Sequence, residues 1–372
     1  MKAISLLNET RQVQLIDVPE PEIERPNQLK LRILEIGICG TDREQVEAGY
    51  GEAPAGTDHL VIGHEMLGEV VEVGKEVKSF RKGDYAVLTV RRGCGQCAAC
   101  QSNRSDMCMT GLFTERGIKG RHGFETEYVV DEQQYAVKVP AELVQVGVLT
   151  EPMSVVEKAI EEAVALQAAR IPQAKAATWL IGKRTLVAGL GPIGLLAAIA
   201  LLLRGAEVIG LDIVDEGSKR PDILRRLGGT YLDGRKVDTA TLDARLGQVD
   251  FILEATGVAE LGFQLIDALG VNGIYVMTGI PHGDRPVCIT GAEMMQQIVL
   301  KNQLIMGSVN ASTLHYAQAI EDMQKAKAKW GDLLNEIITT RLPFQQYREA
   351  LDLRSENDIK TVLLWDKPSE QV

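Results

Sequence analysis

The chain has 372 residues, of which 45% are hydrophobic and 24% charged, and its formal net charge is −11. This length exceeds what one compact core usually spans, so two domains are expected. The acidic balance argues against nucleic acid and against an anionic membrane surface as partners, because both require a basic face. The N-terminus, Met1-Lys-Ala-Ile-Ser-Leu-Leu, has too short an apolar core for a signal peptide, which predicts a first strand and a cytoplasmic protein.

The first 150 residues are rich in short strand patterns separated by glycine and proline. The clearest patterns lie at 29–34, 68–74, 84–90 and 127–131. Punctuation at such short intervals is typical of a β barrel or sandwich that carries long functional loops. The sequence therefore predicts a β-rich first domain.

Three short polar motifs supply a candidate chemical site. They are Gly37-Ile-Cys39-Gly-Thr41-Asp42, Gly63-His64-Glu65 and Thr150-Glu151-Pro152. Each motif alone has an ordinary explanation, such as a buried cysteine, a core histidine or a solvated carboxylate. Together, however, Cys, His and carboxylate are the ligand types of an open catalytic zinc site. Such an ion acts as a Lewis acid on an alcohol oxygen.

Four cysteines form the most specific local motif, Cys94-Gly-Gln-Cys97-Ala-Ala-Cys100 followed by Cys108. Four thiolates on one short loop can close a tetrahedron around zinc and leave no position for substrate. An iron–sulfur pattern fits less well, because its third cysteine is usually followed by x3-Cys-Pro. Disulfides are disfavoured in a cytosolic chain. The motif predicts a closed structural zinc site.

From about residue 154 the pattern changes to alternating helices and strands. A helix is predicted at 155–167, and apolar strands at 208–211, 251–254 and 273–277 have helical runs between them, which implies a parallel sheet. A helix at 314–329 and a strand at 361–365 follow, and the strand is predicted to return to the first domain. The predicted domains are 1–153, completed by 312–372, and 154–311.

A glycine-rich turn gives the second domain its expected function. A short apolar strand from Arg184 runs into Gly189-Leu-Gly191-Pro-Ile-Gly194, an apolar helix follows, and the next strand ends on Asp212. Strand, Gly-x-Gly-x-x-Gly, helix and a later acid together indicate dinucleotide binding, with pyrophosphate at the helix N-terminus. A membrane helix at 185–205 is the alternative, but the three glycines and the proline in the first half of this segment disfavour it.

These motifs together resemble the zinc-dependent medium-chain dehydrogenases over nearly the whole chain. The matching segments are GICGTD, GHE, the four-cysteine lobe, GLGPIG and Glu254-Ala-Thr-Gly257. Within that family the chain is most similar to the glucose 1-dehydrogenase branch, through the segments 113–118, 122–124, 151–152 and 307–311. Ordinary alcohol dehydrogenases place a second zinc cysteine where this chain has Glu151. The resemblance implies a Rossmann doubly wound parallel sheet and a β-rich GroES-like catalytic domain.

The resemblance also implies residue roles. Cys39 and His64 would bind the catalytic zinc, and Glu65 and Glu151 would bind it directly or through water. Thr41 would contact the reacting hydroxyl and relay its proton, while Glu115, Glu151 and Asn310 would bind the sugar. The structural zinc would be held by Cys94, Cys97, Cys100 and Cys108. The cofactor would contact Gly189, Gly191, Pro192, Ile193, Gly194, Asp212, Thr278, Gly279, Ile280, Ser308, Val309 and Asn310.

The cofactor is predicted to be NAD in preference to NADP. Glucose dehydrogenases of this type often carry arginines after the second strand, suited to a 2′-phosphate, whereas this chain has Asp212, which would repel one. Lys219 and Arg220 lie a few residues further on. They either begin a solvated helix before Pro221 or fold back and permit NADP.

The leading hypothesis is therefore oxidation of the C1 hydroxyl of an aldose, first of all D-glucose, to the lactone with hydride transfer to NAD(P). The alternatives are a related zinc-dependent polyol, threonine or alcohol dehydrogenase, and a zinc-stabilised binding or regulatory protein that has lost the chemistry. A nucleic-acid-binding zinc ribbon is more distant. The resemblance further implies a homo-oligomer, a tetramer or dimer. No nucleic acid or membrane partner is expected.

Overall fold

The computed structural model describes residues 1–237, 242–281 and 286–365. Residues 238–241, 282–285 and 366–372, which the predicted domains include, lie outside the described part. The chain divides into two compact units. The first comprises Met1–Ser154, Asn310–Gln324 and Ile338–Val372, and the second comprises Val155–Val309 and Lys325–Ile337.

The first unit is built mainly from short strands, numbered here in chain order. Its strands are β1 Lys2–Leu7, β2 Val13–Asp17, β3 Gln28–Gly37, β4 His59–Val61, β5 Glu65–Val73, β6 Tyr85–Leu88, β7 Arg91–Arg92, β8 Thr114–Arg116, β9 Gly120–Arg121, β10 Tyr128–Glu132, β11 Ala136–Val139, β18 Ile338–Pro343 and β19 Lys360–Leu364. Its helices are α1 Gly40–Ala48, α2 Ala98–Gln101 and α10 Tyr347–Asp352. The predicted β-rich first domain is confirmed.

The largest sheet of this unit has the order β11-β6-β5-β3-β19-β18, and β10 also pairs with β3. The long central strand β3 carries apolar side chains that are fully buried, including Leu31, Ile33 and Ile36. Strand β19 lies antiparallel to β3, with Val362 opposite Gly37. This pairing confirms the prediction that the last strand returns to the first domain.

The second unit alternates strands with helices. Its strands are β12 Arg184–Ala188, β13 Glu207–Asp212, β14 Thr230–Asp233, β15 Val249–Glu254, β16 Leu269–Met277 and β17 Leu304–Gly307. Its helices are α4 Pro192–Leu203, α5 Lys219–Leu227, α6 Leu242–Leu246, α7 Ala259–Gln264 and α8 Gly291–Leu300, together with parts of α3 Thr150–Arg170 and α9 Thr313–Trp330.

All six strands of the second unit form one parallel sheet in the order β14-β13-β12-β15-β16-β17. Numbered within the sheet, this is 3-2-1-4-5-6, the order of a dinucleotide-binding fold whose ligands lie at the carboxyl ends of the strands. Leu186 and Ala188 of β12 are fully buried, as expected when helices cover both faces. The predicted parallel sheet is confirmed.

Segment 185–205 contains a strand, the glycine-rich turn and a helix of 12 residues. In the part of the chain that the structure describes, no helix has the length and apolarity that crossing a membrane requires.

Candidate active site

Three of the predicted zinc ligands lie together in the first unit. One ligand atom each from Cys39, His64 and Glu65 falls within 4.8 Å of the others. The sheet explains this, because the end of β3 and the start of β5 are paired, with Gly37 opposite Glu65. The residues that follow β3 and precede β5 therefore share one edge of the sheet.

Asp42 orients two of these ligands. One of its carboxylate oxygens accepts a hydrogen bond from the backbone N–H of Cys39 at 2.7 Å, and the other lies 3.3 Å from His64 Nδ1. Helix α1 begins directly after Cys39, so its third residue, Asp42, can reach back to the cap. A carboxylate on Nδ1 leaves Nε2 available to a metal, the usual arrangement around a metal-binding histidine.

Burial and the neighbouring side chains act on the pKa of His64 in opposite directions. Burial opposes the imidazolium, but the carboxylate of Asp42 and the sulfur of Cys39 outweigh it, so the pKa of His64 lies well above its usual value. The same anionic neighbours would also favour a metal cation beside His64.

Lys360 pairs with Glu65 inside the protein. Its ammonium group contacts Glu65 Oε2 and donates to the carbonyl oxygen of Ile38 at 2.8 Å, and both side chains are 2% exposed. Gly37 makes room for the pair, since a Cβ there would lie 2.3 Å from Glu65 Oε2. Lys360 therefore holds one carboxylate oxygen of Glu65. A metal bound with Cys39 and His64 would need only one ligand atom from Glu65.

Glu151 lies in the first turn of α3 and is buried. Burial first, and then the neighbouring carboxylate of Glu65, raise the pKa of Glu151 to about 7. Crowded buried carboxylates are costly unless a cation neutralises them. The thiol, imidazole and carboxylate of Cys39, His64 and Glu65 form a donor set that fits a zinc ion, and Glu151 is not part of that 4.8 Å group. Thr41 is the second residue of α1, two positions after Cys39.

The four cysteines of the lobe also form one group, with ligand atoms within 4.8 Å of one another. Cys94 Sγ and Cys100 Sγ are 3.9 Å apart. That separation is too long for a disulfide bond of about 2 Å and close to the edge of a tetrahedron with Zn–S bonds of about 2.3 Å. Backbone N–H groups also donate to Cys94 Sγ and Cys97 Sγ at 3.4 Å. The lobe fits zinc.

Glu115 and Asn310, the predicted sugar-binding residues, contact each other. Asn310 Nδ2 donates to Glu115 Oε1 at 2.6 Å, although 195 residues separate them in sequence. Asn310 adopts a left-handed backbone conformation, with φ of 61°, which asparagine tolerates better than most residues. Both residues belong to the first unit.

The residue that follows strand β8, which bears Glu115, packs against the residue that precedes His64. A Cβ on Gly117 would lie 2.4 Å from the carbonyl oxygen of Gly63, the residue before His64. The carbonyl oxygen of Gly117 also accepts from Gln45 Nε2 of α1 at 2.6 Å. These close contacts fix β8 beside α1 and the start of β5.

The glycine-rich turn has the geometry that a dinucleotide requires. Gly189 adopts φ of 87°, and a Cβ on Gly194 would lie only 1.7 Å from the carbonyl oxygen of Gly189. Around Gly191, by contrast, a Cβ would meet nothing within 4 Å among the described residues, so the space there is open. Pro192 and Ile193 begin α4, whose cap residue Gly191 provides no side-chain hydrogen bond. Its first N–H groups are suited to phosphate.

Asp212 is tied to this turn. One carboxylate oxygen accepts from Leu190 N and the other from Ile213 N, both at 2.7 Å. Arg220 Nη1 lies 3.5 Å from Asp212 Oδ2, and the Arg220 side chain is 20% exposed. Helix α5 does begin at Lys219, which is exposed, whereas the side chain of Arg220 is turned towards the carboxylate of Asp212.

The remaining predicted cofactor residues lie in the turns after β16 and β17. Thr278, Gly279 and Ile280 follow β16, and Ser308 and Val309 follow β17. Glu254 organises the first of these turns. Its carbonyl oxygen accepts from Thr278 N at 2.9 Å and from Gly279 N at 3.1 Å, and its carboxylate accepts from Gly257 N at 2.9 Å.

Comparison with known proteins identifies this arrangement. Residues 25–141 match the alcohol dehydrogenase GroES-like domain, and residues 144–364 match the glucose dehydrogenase C-terminus. The glucose 1-dehydrogenase of Methanocella arvoryzae is 38% identical over 354 residues, which cover 94% of this chain and 95% of that protein. The chain belongs to the zinc-dependent medium-chain dehydrogenase family, in its glucose 1-dehydrogenase branch.

Comparison with solved structures shows the same family and fold. A glucose dehydrogenase from Haloferax mediterranei, in complex with NADP, Zn and gluconolactone, is similar with a TM-score of 0.87 and 32% identity, and the match covers 99% of this chain and 100% of that one. A galactitol-1-phosphate dehydrogenase from Escherichia coli shares the fold, with a TM-score of 0.80 and 21% identity over 98% and 100% of the two chains. The predicted fold class is confirmed.

Sequence reasoning missed three residues of this dehydrogenase's candidate site. Asp42 carried a signal, since an acid three residues after Cys39 is typical of a helix start. Lys360 and Arg91 carried none. Lys360 reaches Glu65 from the far end of the chain, and Arg91 lies on the strand next to that of Glu115, with Nη2 2.9 Å from Glu115 Oε1.

Proposed function

We propose that this chain oxidises the C1 hydroxyl of an aldose to the lactone, with D-glucose preferred and NAD(P) as the oxidant. In this reaction C1 loses a hydride and the hydroxyl loses a proton. The pairing of Glu115 with Asn310, in the unit that also holds Cys39, His64 and Glu65, carries the proposal. Polar groups of this kind are suited to sugar hydroxyls and disfavour substrates that lack them.

The catalytic zinc would be held by Cys39 and His64, with Glu65 and Glu151 as further ligands. A zinc ion there would supply a Lewis acid that polarises the oxygen of the C1 hydroxyl. Asp42 keeps His64 in the tautomer and orientation that ligation requires. Lys360 compensates the buried charge of Glu65 in part, and a bound cation would compensate the remaining carboxylate.

Thr41, Glu115 and Asn310 would act on the substrate itself. The Thr41 hydroxyl would accept the proton of the reacting hydroxyl while donating its own onward, which needs a side chain that is both donor and acceptor. Glu115 would accept hydrogen bonds from sugar hydroxyls, and Asn310 can both donate and accept. Together they would restrain the sugar so that one carbon faces the hydride acceptor.

A substrate panel tests the proposed function. Aldoses, polyols, threonine and simple alcohols are assayed with NAD and NADP by absorbance of the reduced cofactor. We expect kcat/KM for D-glucose to exceed that for ethanol by on the order of 10⁴-fold, because buried polar groups are left unpaired by the alcohol. Equal turnover of ethanol or threonine would reject an aldose site.

We further propose that NAD is preferred to NADP. The carboxylate of Asp212 is held at the end of β13 by Leu190 N and Ile213 N. In that place it suits a ribose 2′-hydroxyl as acceptor and repels a 2′-phosphate. Arg220 is engaged by Asp212 at 3.5 Å, so it is not released for a phosphate unless that contact breaks.

Asp212→Asn tests this preference while preserving the shape of the side chain. Removing the negative charge should raise the NADP-to-NAD ratio of kcat/KM by about 10²-fold, because a like-charge contact costs several kcal/mol. Arg220→Gln is the matched control and should change this ratio far less than Asp212→Asn does, because Asp212 engages Arg220 and keeps it from a phosphate. A wild-type enzyme that strongly prefers NADP, with Asp212 intact, contradicts the proposal.

A homo-oligomer, as tetramer or dimer, and a cytoplasmic location remain predictions from the resemblance and the composition.

A further inference from the structure

We propose that Arg91 is a positioning residue for the sugar, and that the four-cysteine lobe sets sugar affinity through it. The inference rests on the proposed function in one respect, the assignment of Glu115 to the substrate. It gives the lobe a part in recognition, beyond that of a closed structural site.

Arg91 fixes the Glu115 carboxylate on one side only. The two residues are directly opposite each other in the β7–β8 pair. Arg91 Nε and Nη2 donate to Glu115 Oε1 at 3.1 and 2.9 Å, and Asn310 Nδ2 donates to the same oxygen at 2.6 Å. Among the described residues, none donates to Oε2. Three donors therefore hold one oxygen, and the other can accept from a ligand.

Arg91 is itself held by the lobe. Arg91 Nη1 donates to the carbonyl oxygen of Asp106 at 2.7 Å. Ser105 Oγ donates to the carbonyl oxygen of Arg91 at 3.3 Å. Its guanidinium also stacks on the Phe113 ring, 4.0 Å from the centroid. Both the backbone and the side chain of Arg91 are thus attached to the segment that ends at Cys108.

Polar groups within this segment are paired with one another. Arg104 Nε and Nη2 donate to the Asp106 carboxylate at 3.0 and 2.9 Å, and Cys108 N donates to the carbonyl oxygen of Ser105 at 3.2 Å. The Asp106 side chain is fully buried. A shift of Cys108 would therefore move Ser105 and Asp106, and with them the anchor of Arg91.

The chemistry requires arginine in particular. One planar guanidinium directs Nε and Nη2 at the Glu115 oxygen and Nη1 at the Asp106 carbonyl oxygen. A lysine ammonium is a point charge on a flexible stem and cannot hold both partners in a fixed plane. Lysine should keep the charge beside Glu115 and lose the connection to the lobe.

Steady-state kinetics of Arg91→Gln and Arg91→Lys test the inference. Arg91→Gln should raise KM for glucose about 10- to 100-fold, the range of a lost charge-assisted hydrogen bond. Arg91→Lys should restore part of this loss. The dissociation constant for NADH, measured by fluorescence, and the zinc content of two per chain should stay unchanged. A merely structural role would instead lower zinc content and stability together, leaving sugar KM unaffected in the remaining folded enzyme.

Arg121→Gln is the matched control. Arg121 lies in the adjoining strand β9, where its Nε is 3.4 Å from Thr114 Oγ1, so it is a neighbouring arginine that does not bind Glu115. Its replacement should leave glucose KM within about twofold of wild type, because the hydrogen bond that it removes goes to Thr114 and not to Glu115. Arg104→Gln, which loosens Asp106, should raise KM less than Arg91→Gln does. An unchanged KM in Arg104→Gln overturns the link to the lobe.

A double-mutant cycle with Glu115→Gln completes the test. If Arg91 acts through Glu115, the double variant should show no higher KM than the worse single variant, because both changes remove one interaction. The inference is overturned if the increases in KM of the two single variants multiply in the double variant. It is also overturned if Arg91→Gln keeps the wild-type KM. The substrate panel on the wild type decides the proposed function separately, and Arg91 is judged on whichever hydroxylated substrate that panel ranks first.

Discussion

Cys39→Ser is expected to lower kcat/KM for glucose by about 10³-fold and to reduce zinc from two to one per chain. The Cys39 sulfur belongs to the group formed with His64 and Glu65, and serine is a poor zinc ligand. A metal contributes several kcal/mol to stabilising developing negative charge, and each 1.36 kcal/mol is a tenfold change in rate. The zinc content is measured by elemental analysis, and kcat/KM for glucose is measured with saturating cofactor.

Cys288→Ser is the matched control for this experiment. Cys288 is exposed and, in the part of the chain that the structure describes, belongs to neither cysteine group. Its replacement should retain two zinc ions and full activity. Two zinc ions in Cys39→Ser, with activity within tenfold of wild type, would contradict a catalytic zinc at this site.

Asp131→Ala should destabilise the protein by about 3–5 kcal/mol, the cost of leaving a buried charge unpaired. Asp131 is 4% exposed, and its Oδ2 accepts from Arg92 Nη2 at 2.5 Å and from Arg116 Nη2 at 2.6 Å. Without the carboxylate, two buried guanidinium groups would lie together with no counter-charge. The free energy of unfolding is measured by urea titration at pH 7.

The same residue predicts a pH dependence of stability. Burial alone would raise the pKa of Asp131, but Arg116 and Arg92 outweigh it and hold the pKa well below its usual range. A carboxyl whose pKa is lower in the folded state stabilises the protein above its unfolded pKa of about 3.9, and this contribution is lost as pH falls through the folded value. The stability difference between wild type and Asp131→Ala should therefore be constant near neutrality and shrink below about pH 4.

Asp17→Asn provides the comparison on the surface. Asp17 pairs with Lys2 at 2.8 Å, but its side chain is 75% exposed, so water screens the pair. Its replacement should leave the urea midpoint at pH 7 nearly unchanged. A similar loss of stability in Asp17→Asn and Asp131→Ala would show that burial of the ion cluster is not the cause.

Local sequence predicted the glycine-rich turn in detail. The apolar strand, the turn glycines and Asp212 follow one another within about 30 residues, and their roles depend on backbone conformation and on neighbours in the chain. The structure has β12 at Arg184–Ala188, Gly189 with φ of 87° and Asp212 at the end of β13. Each of these follows from steric limits that apply to the residues themselves.

The metal group shows where such reasoning stops. Ligand types identified Cys39, His64 and Glu65, whose ligand atoms indeed lie within 4.8 Å. The charge balance around them was not predictable, because Lys360 reaches Ile38 from 322 residues away along the chain. Only the pairing of β19 with β3 brings that lysine to the site.

By itself the sequence determined the residue types of both candidate metal groups, the dinucleotide turn and the alternation that builds a parallel sheet, since these depend on spacing within short segments. The tertiary structure alone decided which charges compensate one another: Lys360 with Glu65, Arg91 with Glu115, and Asp131 with Arg92 and Arg116. The physical reason is that a buried ion pair is defined by distance in space and by the exclusion of water, and neither is encoded in local pattern.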